Sequence, residues 1–334
     1  MNSPLLSVCL VTYNHEELIG KALEGAVRQR TSFPFEIVIG EDCSTDGTRA
    51  ICEIYAQQYP DIVRLLPSQK NMGLNANMLR TFRQCRGQYI AYLEGDDHWV
   101  TTDKLQKQVD VLETQPDVVL VHTNCHVWQV KTDYYWKRII DFEGECIREK
   151  QYGIDSVIAE YKGPFRPIKT STCVYRKSVM EQILLEDEYA YANKEFPTQD
   201  FQLFQDMSFR GKFAFVDEVT TIIGLVDSIS ANEDPEKKFN FREGFDKIGT
   251  YYIQKYCLQP IHFQGWYKNE FHWLLNFAMH HPQFADRALA RLSVAEQLGY
   301  ETPKLQRMLS CVLRNKWLHI IIKPIYNIYY KSRG

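Results

Sequence analysis

No stretch of 18 or more apolar residues occurs in the sequence, so no transmembrane helix is expected. The start, Met1-Asn2-Ser3-Pro4, lacks a basic segment followed by a long apolar run. No secretory signal is expected, and a cytoplasmic location follows from that reading. An excess of positive charge is missing too. Lysine and arginine total 39 against 42 acidic residues, a formal net charge of -3, which leaves no basic field for nucleic acid. The nine cysteines form no C-x-x-C pair and are odd in number, which argues against a zinc ribbon or a disulfide framework. Buried, reduced thiols are the simpler reading. The nine histidines form no H-x-x-x-H pair within a predicted helix, and no internal repeat or low-complexity segment is evident.

What is present is the composition of a globular protein. Apolar residues make up 45% and charged residues 24% of 334, enough for one large α/β domain with an appended unit or for two modest domains. The chain holds 20 Tyr, 18 Phe and 6 Trp, many of them after residue 125. Aromatic faces suit sugar rings, but they also fill cores.

Leu6 to Thr12 is a short apolar run that predicts a buried strand. From Glu16 to Gln29 the apolar residues fall at helical spacing. Strands are then predicted over Phe35 to Gly40, Ile62 to Leu66 and Tyr89 to Leu93, with helices from Asp46 and over Asn75 to Cys85 between them. A helix over Lys104 to Gln115, a strand over Val118 to His122, a strand over Ser171 to Arg176 and a helix from Ser178 follow. After about residue 235 the pattern is helical and aromatic. Alternating strands and helices predict a mostly parallel sheet with helices on both faces. Ligands on such sheets bind beyond the carboxyl ends of the strands. That rule selects four loops: Tyr13 to Glu16, Glu41 to Gly47, Ser68 to Asn77 and Glu94 to Trp99.

The last of these, Glu94-Gly95-Asp96-Asp97-His98-Trp99, puts three carboxylates within four residues at a strand end. Such acids repel unless a counter-charge is present. Mg²⁺ takes one or two protein carboxylates and completes its shell with phosphate oxygens and water. The segment fits a metal-diphosphate site, and it also reads as a solvated turn capping the next helix. Asp46-Gly47-Thr48 is turn and helix-start chemistry. Asp42, directly after a buried strand, suits a base N–H or a ribose hydroxyl. Gly73 in Asn71-Met72-Gly73-Leu74-Asn75-Ala76-Asn77 permits a close backbone approach or a positive φ.

These motifs, in this order, resemble the family 2 glycosyltransferases of the GT-A-type fold from about Leu6 to Trp128. Val11-Thr12-Tyr13-Asn14 matches the family's first-strand ending. Glu41 to Thr48 is similar to its Asp-Asp-Gly-Ser-Thr-Asp-Gly-Thr element, with Cys43 where glycine is usual. Glu94-Gly95-Asp96-Asp97 is similar to its D-x-D-D element, with Glu94 in the first place. Gly-Asp-Asp-His-Trp and the following Lys104-Leu105-Gln106-Lys107-Gln108 resemble a bacterial subgroup. The resemblance implies a Rossmann-like, mostly parallel sheet with a helical C-terminal extension. It implies inverting transfer from a nucleoside-diphosphate sugar, a UDP-sugar above all, to a saccharide or lipid-linked saccharide in cell-surface polymer synthesis. Thr12, Tyr13, Asn14, Glu16, Asp42, Asn71, Gly73, Asn77, Glu94, Gly95 and Asp96 would line the donor site. Asp96 with Asp97 would hold Mg²⁺ or Mn²⁺ on the diphosphate. Asp200, before the apolar helix Phe201 to Phe209, would be the base, although an N-cap role also explains it. Lys169-Thr170-Ser171-Thr172 resembles the acceptor-side segment. Asp227 would stand where some relatives carry a histidine ligand. On this reading residues 1–235 form the transferase domain, with a nucleotide-sugar half over 1–125 and an acceptor half over 126–235, and 236–334 form a helical region. A nucleotide-sugar-binding protein without transfer activity is the alternative. A nucleotidyltransferase ranks below it, because the first loop lacks glycine and lysine.

Trp317 to Tyr330 is apolar and aromatic, flanked by Arg314, Lys316, Lys331 and Arg333. It reads equally as an interfacial membrane segment over 314–333 or as a tail docked on the protein or on a second copy in a homo-oligomer. Lys323-Pro324 is expected to interrupt it.

Overall fold

The computed structural model describes residues 3–136, 151–152, 168–225 and 234–331. It separates into two compact units. The first holds the sheet: the described residues up to 194, and 198–225. The second holds 195–197 and the helices from 234 onward.

In the first unit the strands are β1 (Leu6–Thr12), β2 (Phe35–Glu41), β3 (Val63–Leu65), β4 (Tyr89–Glu94), β5 (His98–Trp99), β6 (Val118–Gln129), β7 (Tyr134–Trp136), β8 (Gln151–Tyr152), β9 (Val174–Arg176) and β10 (Lys212–Leu225). Its helices are α1 (Ile19–Val27), α2 (Thr48–Gln58), α3 (Leu74–Gln84), α4 (Lys104–Thr114), α5 (Lys177–Asp187), α6 (Tyr189–Ala192) and α7 (Asp200–Ser208). The sheet order is β3-β2-β1-β4-β9-β6-β10-β5, with β7 on β6 and β8 on β10. β3, β2, β1 and β4 run parallel. Short β9 runs antiparallel to both β4 and β6, so β6 and its parallel partner β10 point the same way as β4. The carboxyl ends of β1, β2, β4, β6 and β10 therefore share one rim, where the connecting loops can converge.

All of β1 is buried, because neighbours flank it on both sides and helices cover its faces. That is why its sequence is a continuous apolar run rather than an alternating one. The core packs Val8, Leu10, Ile37, Ile39, Ala91 and Leu93 of the central strands against Leu23, Leu105 and Leu112 of the helices.

Several sequence boundaries shift for identifiable reasons. α1 starts at Ile19 rather than Glu16, after a turn over 16–18 at whose start the amides of His15 and Glu16 bond Thr48 and Asp46. The 170–172 stretch is a 3₁₀ turn, and the strand begins only at Val174. β6 runs on to Gln129 instead of ending at His122, because β10 pairs with it throughout. β10 itself has no counterpart in the sequence reading. Its Asp217-Glu218 and the register shifts between Val216 and Thr221 break the alternation that marks a strand. Among the described cysteines all are free, but Cys257 and Cys311 are exposed, which corrects the expectation of buried thiols at those two positions.

The second unit contains α8 (Pro235–Lys255), α9 (Pro260–His280), α10 (Ala285–Gln297), α11 (Lys304–Arg314) and α12 (Lys316–Lys331). Asp234 caps α8 by accepting from the Glu236 N–H, with Pro235 in the first turn. Its aromatic core stacks Phe239 on Phe284 and Tyr267 on Phe271. Asp246 is fully buried and bound by Arg291 at 2.5 Å. Lys323-Pro324 does not interrupt α12, contrary to expectation. Proline removes one intrahelical bond only, and Pro324 lies on the solvent side.

Candidate functional site

The loops after β1 and β2 are built as a pair. Asn14 and Cys43 both adopt left-handed backbone, at φ 53° and 60°. The Asn14 N–H donates to Ser44 Oγ at 3.0 Å, and Asn14 Oδ1 accepts from the Thr45 N–H at 2.9 Å. The Glu16 N–H donates to Asp46 Oδ2 at 3.1 Å, and Glu16 Oε2 accepts from the Gly47 N–H at 2.9 Å. Asp46 Oδ1 accepts from the Thr48 N–H, the turn role read from the sequence. Asn14 and Glu16 thus hold the rim in shape, while Tyr13 stays 41% exposed beside them. Glu41, at the end of β2, is buried. Burial pushes its carboxyl up, but hydrogen bonds from Ser44 and Arg49 outweigh that and leave it below the usual range.

Asp42 is 2% exposed and accepts from the Met72 N–H at 2.9 Å and the Gly73 N–H at 2.8 Å. A carboxylate has about four acceptor positions, so this grip leaves capacity for a ligand. Gly73 has φ +87°, a conformation that favours glycine. Asn71 is exposed on the same loop. Asn77 is buried, with its amide nitrogen donating to Gly40 O at 2.6 Å and its oxygen accepting from Arg80 at 2.6 Å. It fixes α3 against β2 from below the rim.

The β4 end carries the strongest electrostatic feature. Among the described residues, Glu94, Asp96 and Asp97 are the group of acids able to share an ion, with ligand atoms within 4.8 Å of one another. Burial and then Asp96 raise Glu94 from 4.5 to about 7, and Asp200 adds repulsion. Burial, then Asp96 and Glu94, push Asp97 well up. Burial raises Asp96 too, partly offset by the nearby His15. Asp97 Oδ1 accepts from the Gly224 N–H at 2.8 Å. Asp96 Oδ1 is buried with no hydrogen-bond partner. A buried carboxylate oxygen in that state is costly unless a cation or donor occupies the space beside it. All-oxygen ligands of this kind suit Mg²⁺ or Mn²⁺, so the residues present fit the ion.

The surroundings lock this loop. Thr12 Oγ1 and His15 Nδ1 lie 3.2 Å apart, and a Cβ on Gly95 would fall 2.3 Å from Thr12 Oγ1. A Cβ on Gly224 would fall 2.2 Å from the Asp96 carbonyl oxygen. The 170–172 turn braces the other side. Thr170 donates to Glu94 Oε1 at 2.9 Å, and Ser171 Oγ accepts from the Glu94 N–H at 3.1 Å. Trp99 donates its indole N–H to Ser171 O at 2.9 Å, and Gln108 donates to Thr172 O at 2.9 Å. Lys169 and Asp200 act electrostatically on Glu94. Asp200 is the first residue of α7 and accepts from the Phe201 N–H at 2.7 Å. His15 and Gly224 were missing from the sequence-derived candidates. His15 follows the Thr12-Tyr13-Asn14 motif, a usable signal, whereas nothing local marks Gly224. Asp227 lies outside the described residues.

Known proteins agree with this geometry. The profile of glycosyl transferase family 2 matches residues 7–184. A Mycobacterium tuberculosis protein, Rv1520, is 42% identical over 115 residues, 34% of this chain and 33% of that one. Bacillus subtilis TuaG, named for teichuronic acid biosynthesis, is 33% identical over 110 residues, 33% of this chain and 42% of its own. The matches thus span a third to under half of these curated relatives. Staphylococcus aureus TarS 1-349 with UDP-GlcNAc superposes with a TM-score of 0.65 at 18% identity, covering 98% of this chain and 92% of that one. The mannosyltransferase PcManGT of Pyrobaculum calidifontis, solved with GDP-Man and Mn²⁺, gives 0.51 at 17%, covering 99% and 89%. At these identities the superpositions speak for the fold, a GT-A-type sheet. With the family match covering more than half of its length, the chain belongs to glycosyl transferase family 2.

Proposed function

We propose that this protein transfers a sugar, with inversion, from a nucleoside-diphosphate sugar to an acceptor hydroxyl during cell-surface polysaccharide or lipid-linked oligosaccharide synthesis. The observation that carries the reading is the trio of clustered acids with the orphaned, buried Asp96 oxygen. Asp96, with Asp97, is the seat for Mg²⁺ or Mn²⁺. A divalent cation held there offsets the charge that builds on the departing diphosphate. Asp42 and the Asn71-Met72-Gly73 loop that it anchors receive the nucleotide. Tyr13 offers an exposed ring on the same rim. The TarS and PcManGT complexes with UDP-GlcNAc and GDP-Man favour a nucleotide-sugar donor.

Asp200 takes the proton from the acceptor hydroxyl. It opens α7 and acts electrostatically on Glu94, which supports placing it near the acid cluster. General-base assistance of this kind contributes about 10²–10⁴-fold in rate. Glu94 is hydrogen-bonded to Thr170 and aligns the acceptor-side turn with the donor side. Residues 1–235 act as the transferase domain and 236–334 as a helical region appended to it.

The test is release of nucleoside diphosphate from a panel of UDP- and GDP-sugars with and without Mn²⁺. The reading expects cation-dependent turnover of one donor. Cation-dependent binding without release would instead make the chain a nucleotide-sugar-binding protein.

A further inference from the structure

The second unit has a helix with two opposed faces. On one face of α12, His319 Nε2 meets Met279 O at 2.9 Å, Lys323 donates to His280 O at 3.2 Å, and Tyr326 is buried. These contacts dock α12 on the end of α9. On the opposite face Trp317, Ile320 and Ile321 are 77%, 64% and 62% exposed. They fall at i, i+3 and i+4 and form one stripe, with Pro324 next along it. Leu318 is exposed on its flank. A soluble surface rarely gathers large apolar side chains in one contiguous place.

The charge of this region selects what covers the stripe. After Glu301 the chain has no acidic residue and seven basic ones: Lys304, Arg307, Arg314, Lys316, Lys323, Lys331 and Arg333. The whole chain has a formal charge of -3, so the segment opposes the rest of the molecule. A second copy docked about a two-fold axis would bring two such positive segments together with no acid to offset them. A polyanionic surface with an apolar layer beneath it meets both features. A helix of 16 residues is about 24 Å long, shorter than the ~30 Å hydrocarbon core. No described helix is long and apolar enough to cross a membrane. The geometry points to α12 lying flat in the headgroup region of an anionic bilayer. Trp317, Ile320 and Ile321 enter the acyl boundary, and the net positive charge of the segment after Glu301 draws it to the anionic headgroups.

The experiment is flotation of the full chain with vesicles of phosphatidylcholine containing about 30% phosphatidylglycerol, against phosphatidylcholine alone. We expect binding to the anionic vesicles at least about fivefold above the neutral ones, and weaker in high salt. The double variant Ile320→Asp/Ile321→Asp should lose at least about tenfold of that binding. Because both residues are exposed, its thermal midpoint should match the wild type. Leu185→Asp on α5, at a position 88% exposed, controls for loss of any exposed apolar residue and should bind as the wild type does. Absence of flotation, or equal flotation of the double variant, overturns the proposal. So does light scattering that shows a wild-type dimer and a monomeric double variant, which would give the stripe to a second copy.

Discussion

Replacing Asp96 by asparagine separates the cost of the acid cluster from its use. Two unit charges 4.8 Å apart, the upper bound on the separations in the cluster, repel by about 3 kcal/mol at an effective dielectric of about 20. The rise of Glu94 from 4.5 to about 7 corresponds to about 3 kcal/mol as well, with burial the larger cause and Asp96 the second. Asp96→Asn removes the second cause and leaves the first. Without cation at about pH 8, the variant should therefore gain about 1–2 kcal/mol, or roughly 1.5–3 °C in Tm for a chain of 334 residues. The pH dependence has a definite sign. Glu94 is raised in the fold, so its share of stability is intact below 4.5 and is lost as pH climbs through about 7. The variant's decline over that window should be shallower. Scanning fluorimetry across pH, with and without Mn²⁺, reads both effects. Mn²⁺ should raise the wild-type Tm most above about pH 7, where Glu94 is ionised, and should barely move the variant. Turnover of the donor should fall by at least about 10³-fold. A variant with a lower metal-free Tm, an undiminished Mn²⁺ shift, or more than about a tenth of wild-type turnover would refute the reasoning.

Other perturbations address other parts of the site. Asp200→Asn should cut turnover by about 10²–10⁴-fold while leaving the donor-induced Tm shift intact, because the residue serves the acceptor; an unchanged rate would exclude it as base. Gly224→Ala places a methyl 2.2 Å from the Asp96 carbonyl and should fold yet lose about 10²-fold in turnover by shifting that loop; full activity would mean the loop adapts freely. Asp42→Ala strands the Met72 and Gly73 N–H groups and should cost about 1–3 kcal/mol, with donor affinity lost alongside. Denaturant titration and donor binding, measured together, check that case; loss of neither would remove Asp42 from the site.

Some of this was legible from residue order alone. The span of β1, the start of α4 at Lys104 and the placing of the acids at the tip of β4 all follow from local apolar periodicity and turn chemistry. These features depend on neighbours in sequence, which the reader of a chain can see. The fate of individual polar atoms does not. Asn14 and Asn77 were drawn toward a ligand by the motif, yet they bond Ser44, Thr45, Gly40 and Arg80. Asp97 turns an oxygen to Gly224, 127 positions away.

The sequence by itself determined the alternating α/β order, the rim on which the loops meet and the acid-rich end of β4, because buried strands demand continuous apolar runs and acids collect where the backbone leaves the core. Only the tertiary structure decided that β9 would run antiparallel between β4 and β6, that β10 would bring Gly224 against Asp96, and that α12 would bond His319 to Met279 and bury Tyr326 while turning Trp317 and Ile320 outward. Those outcomes rest on pairings between distant segments, and no local pattern encodes which distant surface a residue will meet.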